Sequence, residues 1–167
     1  GNEVTGTSGG TTITPVAFSN VADVAIDTGA PGNSGPDSFT FASDLTTSNG
    51  LMSLSVTLSD GDDTLDASVV SSIGLSINGE GGNDTITGSL SADTIDGGSG
   101  DDLLIEILSG SVVLTDASLD AQGADNLSGI ESVQLQGGSS ADLIDASAFT
   151  AGSITINGGA GNDTILG

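Results

Sequence analysis

The chain has 167 residues with 23 Asp or Glu and no Lys, Arg or His, so its formal net charge is −23. Without a basic side chain it cannot neutralise phosphate groups, which excludes nucleic acids and anionic membrane surfaces as electrostatic partners and leaves inorganic cations. Because Cys and His are both absent, disulfides, thiolate metal sites and Ser–His or Cys–His nucleophiles are excluded, and we do not expect an enzyme.

The first region, residues 1–53, is the least regular part of the chain. Short apolar alternations such as VAI (24–26) predict strands, and GNSGPDSFT (32–40) is a weak copy of a nine-residue unit that recurs further on. We expect irregular β-solenoid coils here. The opening GNEVTG resembles the second half of a repeat unit, so we expect the chain to be a slice of a longer repeat protein.

The second region, residues 54–105, is the first repeat block. Its predicted strands LSV (54–56) and LSI (75–77) each lead into a glycine-rich or aspartate-rich turn. The nine-residue unit carries Asp at its sixth position and an aliphatic residue at its eighth. Copies of it begin at residues 58, 79, 88 and 97, and their aspartates are Asp63, Asp84, Asp93 and Asp102.

The third and fourth regions are residues 106–136, expected to be connecting β coils, and residues 137–167, the second repeat block. The connecting region contains the weak unit DAQGADNLS (120–128), and the second block contains GGSSADLID (137–145) and GGAGNDTIL (158–166). Residues 67–87 align with residues 146–166 at an offset of 79, with ten of 21 positions identical. This longer period indicates one nine-residue motif plus a return segment, used repeatedly.

Strands of three to five residues joined by tight turns cannot bury an apolar face alone. Stacking successive coils buries these faces against one another, so we predict an all-β protein with a parallel β-solenoid architecture. The hydrophobic share of 35% favours this folded state over the disorder that an acidic, glycine-rich composition would otherwise suggest. No apolar run reaches membrane-spanning length, so we expect no direct membrane insertion.

The GGxGxD turn is the motif that carries chemistry. Its glycines permit a tight turn in which backbone carbonyl oxygens face one point, and the aspartate adds a carboxylate there. Several oxygen ligands in a flexible, anionic arrangement suit Ca²⁺, whereas Mg²⁺ demands a stricter octahedron. Asp and Gly are also ordinary turn formers, and this remains the alternative interpretation for each aspartate.

The units GEGGNDTIT, GGSGDDLLI and GGAGNDTIL resemble the calcium-binding RTX (repeats-in-toxin) nonapeptide GGxGxDxUx, in which U is a large aliphatic residue. The resemblance implies a β-roll stabilised by several Ca²⁺ ions, each between the turns of one unit and the next but one. It pairs Asp84 with Asp102, Asp63 with Asp84, and Asp142 with Asp163. The candidate metal-binding residues are Asp63, Gly79, Gly82, Asp84, Gly97, Gly100, Asp102, Asp142, Gly158, Gly161 and Asp163.

The resemblance also implies a secreted chain that folds on meeting extracellular calcium, exported by the type I route. We expect a calcium-binding structural protein of the cell surface or extracellular space, such as a filament, surface-layer, stalk or adhesin subunit. Its partner would be further copies of itself, as a homopolymer or tandem array, with no small-molecule substrate. The alternative is a non-catalytic calcium-folding module of a larger secreted enzyme or toxin, and ice binding is a more distant one.

Overall fold

The computed structural model describes residues 2–8, 11–18, 21–29, 34–45, 50–121 and 123–167, and the weak units at 32–40 and 120–128 therefore lie partly outside the described residues. The described strands, in chain order, are β1 (Asn2–Ser8), β2 (Thr11–Phe18), β3 (Asp23–Asp27), β4 (Ser38–Phe41), β5 (Ser53–Thr57), β6 (Thr64–Asp66), β7 (Leu75–Asn78), β8 (Thr85–Thr87), β9 (Thr94–Asp96), β10 (Leu103–Ile107), β11 (Val112–Thr115), β12 (Ser118–Asp120), β13 (Ala124–Ser128), β14 (Ser132–Gln136), β15 (Leu143–Ala148), β16 (Ser153–Asn157) and β17 (Thr164–Leu166). None of the described residues is helical, and no helix there is long and apolar enough to cross a membrane.

The strands form two sheets, one of eight strands and one of nine. From β3 to β11, and again from β14 to β17, successive strands alternate between the sheets, so each pair of strands makes one coil. Strands of neighbouring coils pair in parallel, as β6 does with β8 and β8 with β10. The all-β, parallel solenoid predicted from the repeats is therefore confirmed.

The core lies between the two sheets and combines the aliphatic residues at position eight of the units with inward residues of the other strands, such as Val56, Ile77 and Leu135. Register stacks Leu65 on Ile86 and Ile86 on Leu104, and all three side chains are fully buried. Full burial of each such side chain contributes about 1.5–3 kcal/mol to folding. Ile165 in β17 also occupies position eight of a unit and pairs with Ile144 in the nine-stranded sheet, but it is 49% exposed, because no described strand pairs with the outer edge of β17.

Two segments depart from the expected parallel coils. In place of a coil, β1 and β2 form an antiparallel hairpin, and β1 also pairs antiparallel with β4. In the connecting region, β12 pairs antiparallel with both β11 and β13, so three consecutive strands remain in one sheet. The hydroxyl of Thr115 accepts the N–H groups of Ala117 at 3.2 Å and Ser118 at 3.0 Å, which closes a tight turn where a glycine turn would have crossed to the other sheet.

Candidate metal centre

The repeat turns stack along two edges of the solenoid. The first turn edge consists of the turns 58–63, 79–84 and 97–102, which carry the chain from the nine-stranded sheet to the eight-stranded one. The second turn edge consists of the turns 88–93, 137–142 and 158–163, which carry it back. On the first edge the turns themselves pair in parallel, through Gly81 with Asp60 and with Ser99. The candidate ligands therefore lie on neighbouring turns rather than scattered over the surface.

A ladder of carboxylates runs along the first turn edge. The backbone N–H of Asp37 donates to Oδ1 of Asp63 at 2.6 Å, that of Asp63 to Oδ1 of Asp84 at 2.9 Å, and that of Asp84 to Oδ1 of Asp102 at 2.8 Å. Successive aspartates of the ladder are 26, 21 and 18 residues apart in the sequence, so coils of different length place their aspartates side by side along the edge. The structure thus makes neighbours of the predicted pairs Asp63–Asp84 and Asp84–Asp102.

Three aspartates of the repeat turns each have one buried carboxylate oxygen without a protein partner. Oδ2 of Asp84, of Asp102 and of Asp142 is buried and accepts no hydrogen bond. An unsatisfied buried acceptor costs about 1–3 kcal/mol, and more when it is charged. A bound cation is the natural partner for such oxygens, since the chain has no basic side chain to offer.

The first glycine of each turn leaves the space that an ion would need. A Cβ added to Gly79 would collide with Oδ2 of Asp84 and with the carbonyl oxygen of Gly97 in the next turn. These two oxygens therefore face one space, which only the missing side chain keeps open. The residues present thus fit a calcium ion between turns 79–84 and 97–102.

The fourth glycines of the turns, Gly82 and Gly100, have φ of 119° and 143°, a backbone conformation that favours glycine. The carbonyl oxygen of Gly82 lies directly against Gly100, and that of Gly61 lies against Gly82. Among the described residues no three acidic side chains gather into one metal-binding group. An ion here would therefore complete its shell with backbone carbonyl oxygens, as Ca²⁺ readily does.

The same arrangement occurs on the second turn edge. The N–H of Asp142 donates to Oδ1 of Asp163 at 3.0 Å, so this predicted pair is also brought together. Oδ2 of Asp163 would lie 2.6 Å from a Cβ placed on Gly158, and Gly161 has φ of 136°. Ser140 stands where the pattern has glycine, yet its carbonyl oxygen still faces Gly161.

Two aspartates of the pattern already have protein donors on both carboxylate oxygens. Asp63 receives the N–H of Asp37 on Oδ1, and the N–H and hydroxyl of Ser59 on Oδ2. Asp93 is held by Ser89 in a similar way, with a further N–H from Leu75 at 2.8 Å. In both turns the serine occupies the second position, where the repeat has glycine. Asp63 therefore fits an ion less well than Asp84 or Asp102.

Burial and like charge act on the aspartates of the ladder. Burial raises the pKa of Asp84 to about 7, assisted by the negative charges of Asp102, Asp63 and Asp62 and opposed by the hydrogen bond from Asp63. The pKa of Asp102 is raised by burial first and by Glu131, Asp101 and Asp96 next. In the absence of a cation these carboxylates resist ionisation, so ion binding and proton release are coupled at this edge.

Two acidic residues that the sequence did not single out take part in this architecture. Glu131 accepts the N–H of Asp102 through Oε2 at 3.0 Å and so continues the ladder. Glu106 is 4% exposed and its Oε1 has no partner. Neither glutamate lies in a nine-residue unit. Near Glu131, the residue that indicates a turn in the sequence is Gly129, two positions earlier.

Comparison with known proteins agrees with this geometry. The sequence model of the family described as RTX calcium-binding nonapeptide repeat (4 copies) matches residues 76–104 and 155–167. These ranges contain the turns 79–84, 97–102 and 158–163, but not the turns 58–63 and 137–142. The chain has no significant match among curated proteins or solved structures. It carries RTX repeats and is in that respect a calcium-binding module, and such repeats are typical of secreted bacterial proteins.

Proposed function

We propose that this RTX-repeat chain is a non-enzymatic, extracellular structural protein whose solenoid folds on binding Ca²⁺ and then associates with further copies of itself. The observation that carries the proposal is the set of buried, unpartnered oxygens of Asp84, Asp102 and Asp142 in a chain with no basic residue. Each of these oxygens lies in a turn of the stack. The sequence, the stacking or both indicate that a neighbouring turn brings backbone carbonyl oxygens next to it. Calcium ligation by the candidate residues stays a prediction.

The expected energy of ion binding is large enough to control folding. A site of extracellular type with a dissociation constant of about 10⁻⁴ M, in millimolar calcium, contributes about 1.4 kcal/mol. Three such sites, at Asp63–Asp84, Asp84–Asp102 and Asp142–Asp163, contribute about 4 kcal/mol, a large share of an ordinary domain's stability. In the sub-micromolar calcium of a cytosol this contribution vanishes, so the chain would remain export-competent inside the cell and fold outside.

The last coil of the stack has strand edges with which a further coil can pair. Strands β16 and β17 are terminal in their sheets, and Ile165 and Leu166 of β17 are 49% and 45% exposed. A further coil of the same kind, whether from this polypeptide or from a second copy, would pair with these strands and cover the two side chains. The same coil would place another turn against the turn 158–163, in which Gly159 and Gly161 are exposed and Gly158 and Asp163 are partly buried.

Two measurements on the chain test the proposal separately. Equilibrium dialysis against calcium is expected to show several bound ions, and light scattering is expected to show that mass rises with protein concentration in millimolar calcium but not in EGTA. A chain that binds no calcium would overturn the whole proposal. A chain that binds calcium yet stays monomeric at all concentrations would instead favour the calcium-folding module of a larger secreted protein.

A further inference from the structure

The carboxylate ladder does not stop where the repeats stop. Beyond the turn 97–102 the next coil crosses between the sheets through Gly129–Ile130–Glu131, only three residues long and outside the matched repeat ranges. The parallel pairing of Leu103 with Ser132 brings Glu131 directly next to Asp102 in the stack. A segment with no repeat motif thus occupies the place of the next repeat turn.

The oxygens at this place match those of the repeat site one coil earlier. Between turns 79–84 and 97–102, the space at Gly79 is bordered by Oδ2 of Asp84 and the carbonyl oxygen of Gly97. One coil further on, the space at Gly97 is bordered by Oδ2 of Asp102, which would lie 2.6 Å from an added Cβ, and by the carbonyl oxygen of Gly129. Oδ2 of Asp102 is unpartnered, and the side chain is fully buried.

Glu131 replaces the aspartate of the missing turn. Its Oε2 accepts the N–H of Asp102 at 3.0 Å, as Oδ1 of Asp102 accepts the N–H of Asp84 at 2.8 Å. The turn 97–102 contains six residues, whereas the connection 129–131 contains three. Glutamate is one methylene longer than aspartate, so its carboxylate reaches further from the shorter connection. Gly152 follows Glu131 in the stack, so the ladder of acidic residues on this edge ends at Glu131.

From these observations we infer a further divalent-cation site, formed by Asp102 and Gly97 on the last repeat turn of the first turn edge and by Gly129 and Glu131 of the non-repeat connection. The inference rests on the proposed calcium binding and extends it beyond the residues that carry the repeat signature. The ligand is a hard divalent cation of the size of Ca²⁺, because the polar atoms that border the space, Oδ2 of Asp102 and the carbonyl oxygen of Gly129, are oxygens. The site would fasten the repeat block to the connecting region, where the longest step of the ladder, 29 residues, occurs.

The test compares Glu131→Gln with Asp120→Asn. The amide of the first variant keeps an acceptor for the N–H of Asp102 but loses the charge, whereas Asp120→Asn removes one charge from an exposed position in β12. Calcium bound at saturation is counted by native mass spectrometry, and melting temperatures are taken in calcium and in EGTA. We expect E131Q to bind one ion fewer, or one ion at least about tenfold more weakly, and D120N to bind as the wild type does.

The sign of the stability change separates an ion ligand from a structural cap. In calcium E131Q should melt below the wild type, whereas in EGTA it should melt at the same temperature or higher, since a repulsion with Asp102 has been removed. An unchanged ion count and affinity, or an equal loss of stability in both buffers, would overturn the inference. If the wild type binds no calcium at all, the proposed function itself fails.

A second measurement needs no variant. Crystals of the wild-type chain grown in calcium should show anomalous density between Oδ2 of Asp102 and the carbonyl oxygen of Gly129. Density at Gly79 and Asp84 without density at Gly129 would leave the repeat site in place and refute the further one.

Discussion

Glu106 is the residue whose surroundings least suit it. It points inward from β10, and the residues paired next to it along the same column are Leu135 in β14 and Ile156 in β16. Its carboxyl group lies against Gly88, and only glycine at this position leaves room for it. Burial raises the pKa of Glu106 well above its ordinary value, and the charges of Asp125 and Asp93 raise it further. No basic residue faces it from any element, because the chain has none.

Replacing Glu106 by Leu should therefore stabilise the protein at neutral pH by about 1–3 kcal/mol, since it removes an unsatisfied buried acceptor and copies Leu135 of the next coil. The folded state holds this proton more tightly than the unfolded state does. Stability from Glu106 is thus full below the ordinary pKa of 4.5 and is lost as pH rises towards the raised value. Urea unfolding at several pH values measures the difference between wild type and variant.

The difference between E106L and wild type should grow as pH rises above about 5. Glu80→Gln serves as the control, because Glu80 is an exposed glutamate of the turn 79–84 whose side chain accepts a hydrogen bond from Asn78. A difference that is independent of pH, or a variant less stable than the wild type at pH 7, would show that Glu106 is ionised and partnered in the folded protein.

Asp102 and Asp101 form a natural pair for testing the ladder. Asp102 is fully buried with a free oxygen, whereas the adjacent Asp101 is exposed, so Asn at either position removes one charge from the same turn. In calcium, D102N should lower the free energy of unfolding by about 1.4 kcal/mol or more, the contribution of one lost ion. In EGTA the effect should vanish or reverse, because repulsion with Asp84 is relieved. Equal behaviour of D101N and D102N in denaturant titrations would contradict the ladder as an ion site.

The resemblance to the RTX repeat predicted that Asp63, Asp84 and Asp102 are neighbours, because the steps of 21 and 18 residues between them each close one coil. It was not sufficient for Glu106. In LLIEI (103–107), the alternation of Leu103, Ile105 and Ile107 resembles a buried face. The turn before β10 instead directs Leu104 into the core, and Glu106, two residues later, points the same way. Whether each predicted ligand binds an ion stays a prediction.

At the scale of elements, the glycine turns decide where coils stack closely. Gly100 combines a φ of 143° with a backbone that leaves no room for a methyl group next to the carbonyl of Gly82. Gly110 also lies in a turn between strands, but an added Cβ there would meet no atom within 4 Å. Glycine is therefore required at residue 100 and replaceable at residue 110.

Gly100→Ala should destabilise the calcium-bound fold by about 1–3 kcal/mol for the strained φ alone, with a further loss from the collision. Gly110→Ala should leave stability within about 0.5 kcal/mol of the wild type. Thermal unfolding in millimolar calcium, followed by circular dichroism, measures both. If the two variants melt alike, the close stacking of turns 79–84 and 97–102 is wrong.

The strands themselves were predictable at this scale, but their direction was not always so. Alternating apolar residues at 24–26, 54–56, 75–77, 133–135 and 154–156 all lie in strands of the structure. A period of two does not distinguish parallel from antiparallel pairing, however, and β12 is antiparallel to both its neighbours. The local reason is the turn at Thr115, where hydrogen bonds to the threonine hydroxyl reverse the direction of the chain within one sheet.

At the scale of the whole molecule, a net charge of −23 opposes any compact state. The solenoid concentrates part of that charge along two edges, where the turns stack and where oxygens lack partners. We therefore expect the fold and its counter-cations to form one thermodynamic unit, in which the core of stacked aliphatic residues and the ions on the edges are both needed.

Magnesium distinguishes specific ligation from general charge screening. Because Mg²⁺ requires near-octahedral geometry at short distances, it should not replace calcium between turns whose ligands are mainly backbone carbonyl oxygens. Tryptic cleavage cannot report on folding in a chain without Lys or Arg, so limited proteolysis with a less specific protease is the suitable measurement. Protection in millimolar calcium but not in equal magnesium is expected, and equal protection by both ions would indicate screening alone.

The most direct measurement of the central claim is far-ultraviolet circular dichroism of the purified chain during titration with calcium from an EGTA-treated start. We predict a disordered spectrum in EGTA and a cooperative appearance of the β-sheet signal as calcium reaches the millimolar range, reversed when EGTA is added again. A β-sheet spectrum that is complete in EGTA and indifferent to calcium would contradict the account.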